Sequence, residues 1–293
     1  MTDDMNKEKS KKGLRRDLID KFYTKPSVAN DCIELVVKTI GISKDDIVIE
    51  PSAGNGSFIK GIQNLNCKNY FYDLKPEHLQ ITQQDYLLFD FESQVQKTIQ
   101  SSKVIVIGNP PFGRQSSTAI KFIKKSCEYC DAICFILPKS FRKESLKRHF
   151  PLNFTLVKEI DLPENSFLVD DVDADVPCIF QIWNKSSQER QKPKKHIPIG
   201  SSIVKKDCNP DISFRRVGVN AGNFSQETEN KSEQSHYFIK FEKSVNDDMN
   251  SLNDDMNSLN DDMNSLSFPT CDDTVGPKSI SKNELICILN SLL

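Results

Sequence analysis

A chain of 293 residues, 37% hydrophobic and 27% charged with a formal charge of −2, has the length and apolar content for one full-sized core and a small appendage. No stretch approaches the roughly 18 apolar residues of a membrane span, and the polar start MTDDMNKEKSKKGLRR lacks the apolar core of a secretory signal. An intracellular protein, cytoplasmic or nuclear, with no membrane partner is therefore expected.

Nine cysteines are then expected as free thiols. Cys127, Cys130 and Cys134 cluster, but no second pair completes a zinc-site spacing, so no metal is expected. The small net charge hides local basic segments, with six Lys/Arg against one acid in residues 5–16 and nine against three in residues 185–216. Such segments suit a polyanionic partner.

In chain order, residues 1–20 read as a flexible basic arm. From 21 to 185, short apolar runs alternate with helical patterns, which predicts an α/β domain with a mostly parallel sheet and helices on both faces. Pro26 to Ile40 is predicted helical, with Val28, Ile33, Val36, Val37 and Ile40 as its buried stripe. Strands are expected at Ile47–Ile49, Tyr70–Tyr72, Val104–Ile107 and Ala132–Leu137, and a helix at Ser117–Cys127. Leu156–Leu162 and Cys178–Trp183 read as closing strands joined by an acidic loop. Residues 186–243 form a small basic substrate-contact segment, in which SFRRVGVNAGNF and SHYFIKF suit a small β element. Residues 244–293 read as an acidic linker of three perfect NDDMNSL copies, better suited to disorder than to a coiled coil, and a terminal helix with a capping box at Ser281 and Glu284.

Two motifs carry chemistry. The first, Glu50-Pro51-Ser52-Ala53-Gly54-Asn55-Gly56-Ser57-Phe58, joins a strand to a helix, and its glycines permit a tight turn against a ligand. It lacks the Gly-Lys-Ser/Thr of a triphosphate loop. The second, Asn109-Pro110-Pro111-Phe112, follows the strand VIVIG. Its prolines fix φ and remove donors, leaving a stiff loop that offers the Asn109 amide oxygen and the Pro110 carbonyl as acceptors beside an aromatic plane. That set suits a planar substrate with an NH₂ at its edge.

In this order, over about residues 21–184, these motifs resemble the amino-methyltransferases that act on adenine N6. The resemblance implies a Rossmann-like class I methyltransferase fold and S-adenosyl-L-methionine as cofactor. It places Tyr23 and Thr24, within Phe22-Tyr23-Thr24-Lys25-Pro26, in an amino-terminal cofactor segment, and Glu50, Gly54 and Gly56 in the cofactor loop. Asp73 would hold the ribose hydroxyls, and Asp85 and Tyr86 would read the cofactor adenine. Asn109, Pro110, Pro111 and Phe112 would be catalytic. Only 12 residues separate Asp73 from Asp85, so the helix usual between their strands is expected to be very short or absent.

The expected reaction is methyl transfer to adenine N6 in DNA or RNA, with the base flipped into the Asn-Pro-Pro-Phe pocket and the basic segments holding phosphates. The region after Lys185 is too small for a large target-recognition domain. A protein glutamine N-methyltransferase, whose substrate presents the same planar NH₂ edge, and an inactive nucleic-acid-binding protein of the same fold are the alternatives.

Overall fold

Consecutive residues of a strand point to opposite faces, so strands that are apolar at every position need cover on both sides. The computed structural model of the chain, which describes residues 22–95, 102–242, 268, 272–273 and 278–292, provides that cover. The basic arm and the NDDMNSL repeat lie outside the described residues.

The elements run β1 (Tyr23–Thr24), α1 (Pro26–Ile40), β2 (Ile47–Glu50), α2 (Ile59–Gln63), β3 (Lys68–Asp73), β4 (Thr82–Gln83), α3 (Phe91–Gln94), β5 (Val104–Gly108), α4 (Ser117–Cys127), β6 (Ala132–Pro138), α5 (Glu144–Lys147), β7 (Phe154–Asp161), β8 (Phe167–Val169), β9 (Val172–Ala174) and β10 (Cys178–Lys185). Seven strands form one sheet in the order β4-β3-β2-β5-β6-β10-β7. It is parallel except for β10, which runs antiparallel to both neighbours. This is the doubly wound, Rossmann-like arrangement expected of class I methyltransferases.

The pleat sorts the apolar residues. Val48, Ile105, Cys134 and Phe180 point toward α1 and α2, and Ile47, Ile49, Val106 and Phe135 toward α4 and the aromatic residues Tyr86, Phe89 and Phe91. The α1 stripe differs from expectation at one position. Val37 is exposed, and Ala29 and Cys32 complete the buried face with Val28, Ile33 and Val36. No α-helix intervenes between β3 and β4, which accounts for the short Asp73–Asp85 spacing.

The acidic segment expected as a loop between β7 and β10 is a hairpin instead. Asp170 and Asp171 turn with φ of 49° and 61°, the doubly positive geometry that two-residue hairpins favour, and β8 pairs with both β9 and β1.

Beyond β10, strands β11 (Ser201–Val204), β12 (Ile212–Arg215), β13 (Phe224–Ser225) and β14 (His236–Phe241) form an antiparallel sheet in the order β11-β14-β12-β13. Helix α6 (Lys282–Leu292) covers it, burying Leu285 and Leu289 with Phe268, Ile280, Ile212, Phe214 and Ile239. A division at residues 243 and 244 therefore cuts through one hydrophobic core, and the terminal helix belongs to the small sheet. Its start carries the reciprocal capping bonds, Ser281 N to Glu284 Oε2 at 2.7 Å and Glu284 N to Ser281 Oγ at 3.3 Å. The small sheet is tied to the larger one where Lys143 Nζ donates to Ser279 O and Oγ and Arg142 pairs with Asp273 at 3.6 Å. No helix among the described residues is long and apolar enough to cross a membrane.

Candidate active site

The carboxyl ends of β2, β3 and β5 lie side by side, and the strand order reverses between β2 and β5, where open α/β sheets bind ligands. A cleft of about 450 Å³ opens there. The loop after β2 folds back at Gly54, whose φ is 53° and whose N–H donates to Asp73 Oδ2 at 2.8 Å. A Cβ at Gly54 would stand 3.1 Å from the Tyr23 ring, so this loop and β1 close on each other. Across the mouth, the Tyr23 hydroxyl donates to Glu77 Oε1 at 2.6 Å.

Five of the eight residues expected around the cofactor line the cleft: Tyr23, Gly54, Asp73, Asp85 and Tyr86. Both carboxylate oxygens of Asp73 accept backbone N–H groups, from Gly54 and from Lys75, each at 2.8 Å, and each keeps a lone pair for a ligand hydroxyl. The Asp85 side chain caps the turn Tyr86–Leu88 by accepting from Leu87 N at 2.9 Å. Tyr86 lines the cleft at the edge of the core, in which its ring is buried. It packs on Phe89 and Phe122, and its hydroxyl is bonded to Ser126 Oγ at 2.8 Å and to the Tyr129 hydroxyl.

Thr24, Glu50 and Gly56 do not line the cleft. Gly56 has a φ of 89°, and a Cβ there would meet Ile59 Cδ1 at 2.9 Å and the His78 ring at 3.3 Å, so it serves the turn itself. Thr24 and Glu50 are buried, 3% and 2% exposed. Burial first, and then the charge of Asp73, push the Glu50 carboxyl well above the usual carboxylate range. Thr24 Oγ1, Glu50 Oε2 and Asn109 Oδ1 are buried without a hydrogen-bond partner among the described residues. Of the three residues, only Asn109 lines the cleft.

All four residues of the Asn-Pro-Pro-Phe loop line the cleft. Asn109 Nδ2 donates to the Phe22 carbonyl at 3.1 Å, which leaves Oδ1 buried and without a hydrogen-bond partner. The loop backbone is held at both ends. Ser52 Oγ donates to Asn109 O at 3.1 Å, and Phe112 O accepts from Thr118 N and Ala119 N at the start of α4, at 3.1 and 3.3 Å. Phe112 is half-buried and packs against both cores. Sequence reasoning did not assign Ser52, although it lies inside the glycine motif, nor the Phe22 carbonyl, although Phe22 opens the amino-terminal segment, nor Glu77, which carries no motif signal. Among the described residues, no group of His, Cys, Asp and Glu is arranged to hold a metal, and Cys127, Cys130 and Cys134 are free thiols.

No protein-family model and no curated protein matches the chain. Similar solved structures include the proposed RNA methyltransferase PH1948 of Pyrococcus horikoshii, at 19% identity and a TM-score of 0.45, covering 60% of this chain and 92% of that one. TrmN of Thermus thermophilus is 14% identical with a TM-score of 0.38, over 55% of this chain and 48% of its own. An rRNA methylase of Streptococcus thermophilus is 15% identical with a TM-score of 0.37, over 54% of this chain and 95% of its own. Likeness at this level assigns no substrate or activity to the present chain.

Proposed function

We propose that the chain transfers a methyl group from S-adenosyl-L-methionine to adenine N6 in a nucleic acid. The observation that carries the reading is the state of the Asn109 amide. Its NH₂ is engaged by the Phe22 carbonyl, and its oxygen is left buried and unpaired beside Pro110 and Phe112.

The residues present fit the cofactor. Asp73, in the cleft, offers free lone pairs to ribose hydroxyls. When bound, it supplies an electrophilic methyl group on a sulfonium centre. The amine of adenine is a weak nucleophile because its lone pair is delocalised into the ring. Hydrogen bonds from its two hydrogens to Asn109 Oδ1 and to the Pro110 carbonyl favour a pyramidal nitrogen with a localised pair. They also stabilise the positive charge that builds on nitrogen as the C–N bond forms and the C–S bond breaks with its electron pair left on sulfur, and the surplus N6 proton is then lost to solvent. Two prolines hold these acceptors in place before the base arrives, so little reorganisation remains for the chemical step. Phe112 faces the flipped base, and stacking of that kind is worth about 1–3 kcal/mol.

Labelled methyl transfer to separate DNA, RNA and protein pools, followed by nucleoside and peptide analysis, tests the reading. Label on N6-methyladenine is the expected result, and label on glutamine alone would overturn it. Asn109→Ala is expected to keep cofactor binding and to lower the single-turnover rate on the order of 10²–10³-fold. A near wild-type rate would remove this loop from the chemistry.

A further inference from the structure

An asparagine amide can face a substrate amine in two ways, and only one is productive. With Oδ1 forward it accepts from the amine, and with Nδ2 forward it sets donor against donor. A backbone carbonyl can only accept, so the bond from Asn109 Nδ2 to Phe22 O at 3.1 Å selects the productive orientation. The catalytic amide is thus set by where Phe22 sits, 87 residues earlier in the chain.

Phe22 is held in turn by the hairpin. Its ring meets the Phe167 ring edge-on, with centroids 6.3 Å apart and planes at 76°. Residues 23 and 24 pair with β8 in the register Tyr23↔Leu168 and Thr24↔Phe167, Lys25 N donates to Ser166 O at 3.0 Å, and Lys25 Nζ pairs with Asp173 at 2.7 Å. Phe167 itself is fully buried.

We infer that Phe167 is a positioning residue for methyl transfer, acting through Phe22 to hold the Asn109 amide with Oδ1 toward the target amine. The inference rests on the function proposed above. Phe167→Leu keeps the site apolar while removing the ring edge that fixes Phe22. The expected result is a single-turnover rate lowered about tenfold with an unchanged cofactor dissociation constant, since misplacement of a reacting group costs rate rather than binding. In an Asn109→Ala background the same substitution should change the rate less than twofold, because no amide remains to be oriented.

An independent readout is the Asn109 side-chain NH₂ resonance in the cofactor-free protein, identified by its loss in Asn109→Ala. Phe167→Leu should shift or broaden it. Phe22→Leu, which removes the other ring of the pair, serves if Phe167→Leu does not fold. A wild-type rate and an unmoved resonance would overturn the positioning role, as would an equal rate loss with and without Asn109. If the wild-type chain methylates no nucleic acid, the proposed function fails, and the resonance alone still decides whether Phe167 orients the amide.

Discussion

At the scale of single residues, Asn109→Asp keeps an oxygen acceptor but changes what faces Phe22. Here a carboxylate would set an oxygen against the Phe22 carbonyl where Nδ2 now donates. Asn109→Asp should therefore lower the single-turnover rate about as far as Asn109→Ala, and a rate within a few-fold of wild type would show that the Phe22 bond is dispensable. Gly56→Val is expected to destabilise the fold by about 2 kcal/mol or more, because it combines a positive φ with crowding by Ile59 and His78. Thermal unfolding without cofactor measures that cost.

Glu50 makes a pH-dependent contribution. Its folded pKa is raised, so the native state binds more protons than the unfolded chain, and stability falls as pH rises from the usual carboxylate range toward the folded value. Glu50→Gln removes that fall. The variant should gain on wild type in cofactor-free melts as pH increases from 5 to 8, and parallel curves would count against a raised carboxyl. The pocket loop was legible at this scale because prolines beside a polar and an aromatic residue have few other uses. The Phe22 carbonyl was not, since every residue has one and only the fold decides which is near Asn109.

Elements were legible where periodicity was strong and partners were not needed. Pro26–Ile40 and Ser117–Cys127 fall where the apolar spacing put them. The acidic stretch after β7 concealed a hairpin because its strands are only three residues each, too short for an alternating pattern to show, and acidic residues surround them, so the pairing with β1 supplies what composition does not.

The terminal helix is part of the small core. Ending the chain near Val245 removes Phe268, Ile280, Leu285 and Leu289 from the small core, and that truncation should unfold the small sheet. Deleting only residues 246–266 should leave the melting temperature within a few degrees of wild type. Circular dichroism melts of the two deletions distinguish these outcomes.

The basic residues divide in the same way. Arg215 Nε donates to Val217 O, and Arg216 lies over the Tyr237 ring at 5.3 Å and donates to Gln234 O, so both are committed to the small sheet. Lys192, Lys194 and Lys195 are exposed, on a segment pinned to α6 by Asn283 and Asn290. Neutralising the three lysines should reduce the slope of log affinity against log salt by roughly one unit for each phosphate they pair with. An unchanged slope would place the phosphates elsewhere.

For the whole molecule, alternation of apolar runs and helical patterns was enough to predict one doubly wound sheet, because burial on both faces leaves few other arrangements. The small β element was legible in its two aromatic and basic segments, but its joining to the terminal helix in one core was not, since the two lie on either side of the NDDMNSL copies. That arrangement, with Phe241 and Phe268 in one small core and the three copies between them, bears on how the gene can change. Tandem identical units are prone to gain or lose copies during replication. Closing a connection costs free energy only as the logarithm of its length, so one more seven-residue unit adds about 0.2 kcal/mol. Alleles that differ by whole units should therefore encode proteins of nearly equal stability, and natural length variation in this chain is expected to concentrate in steps of seven between Val245 and Phe268.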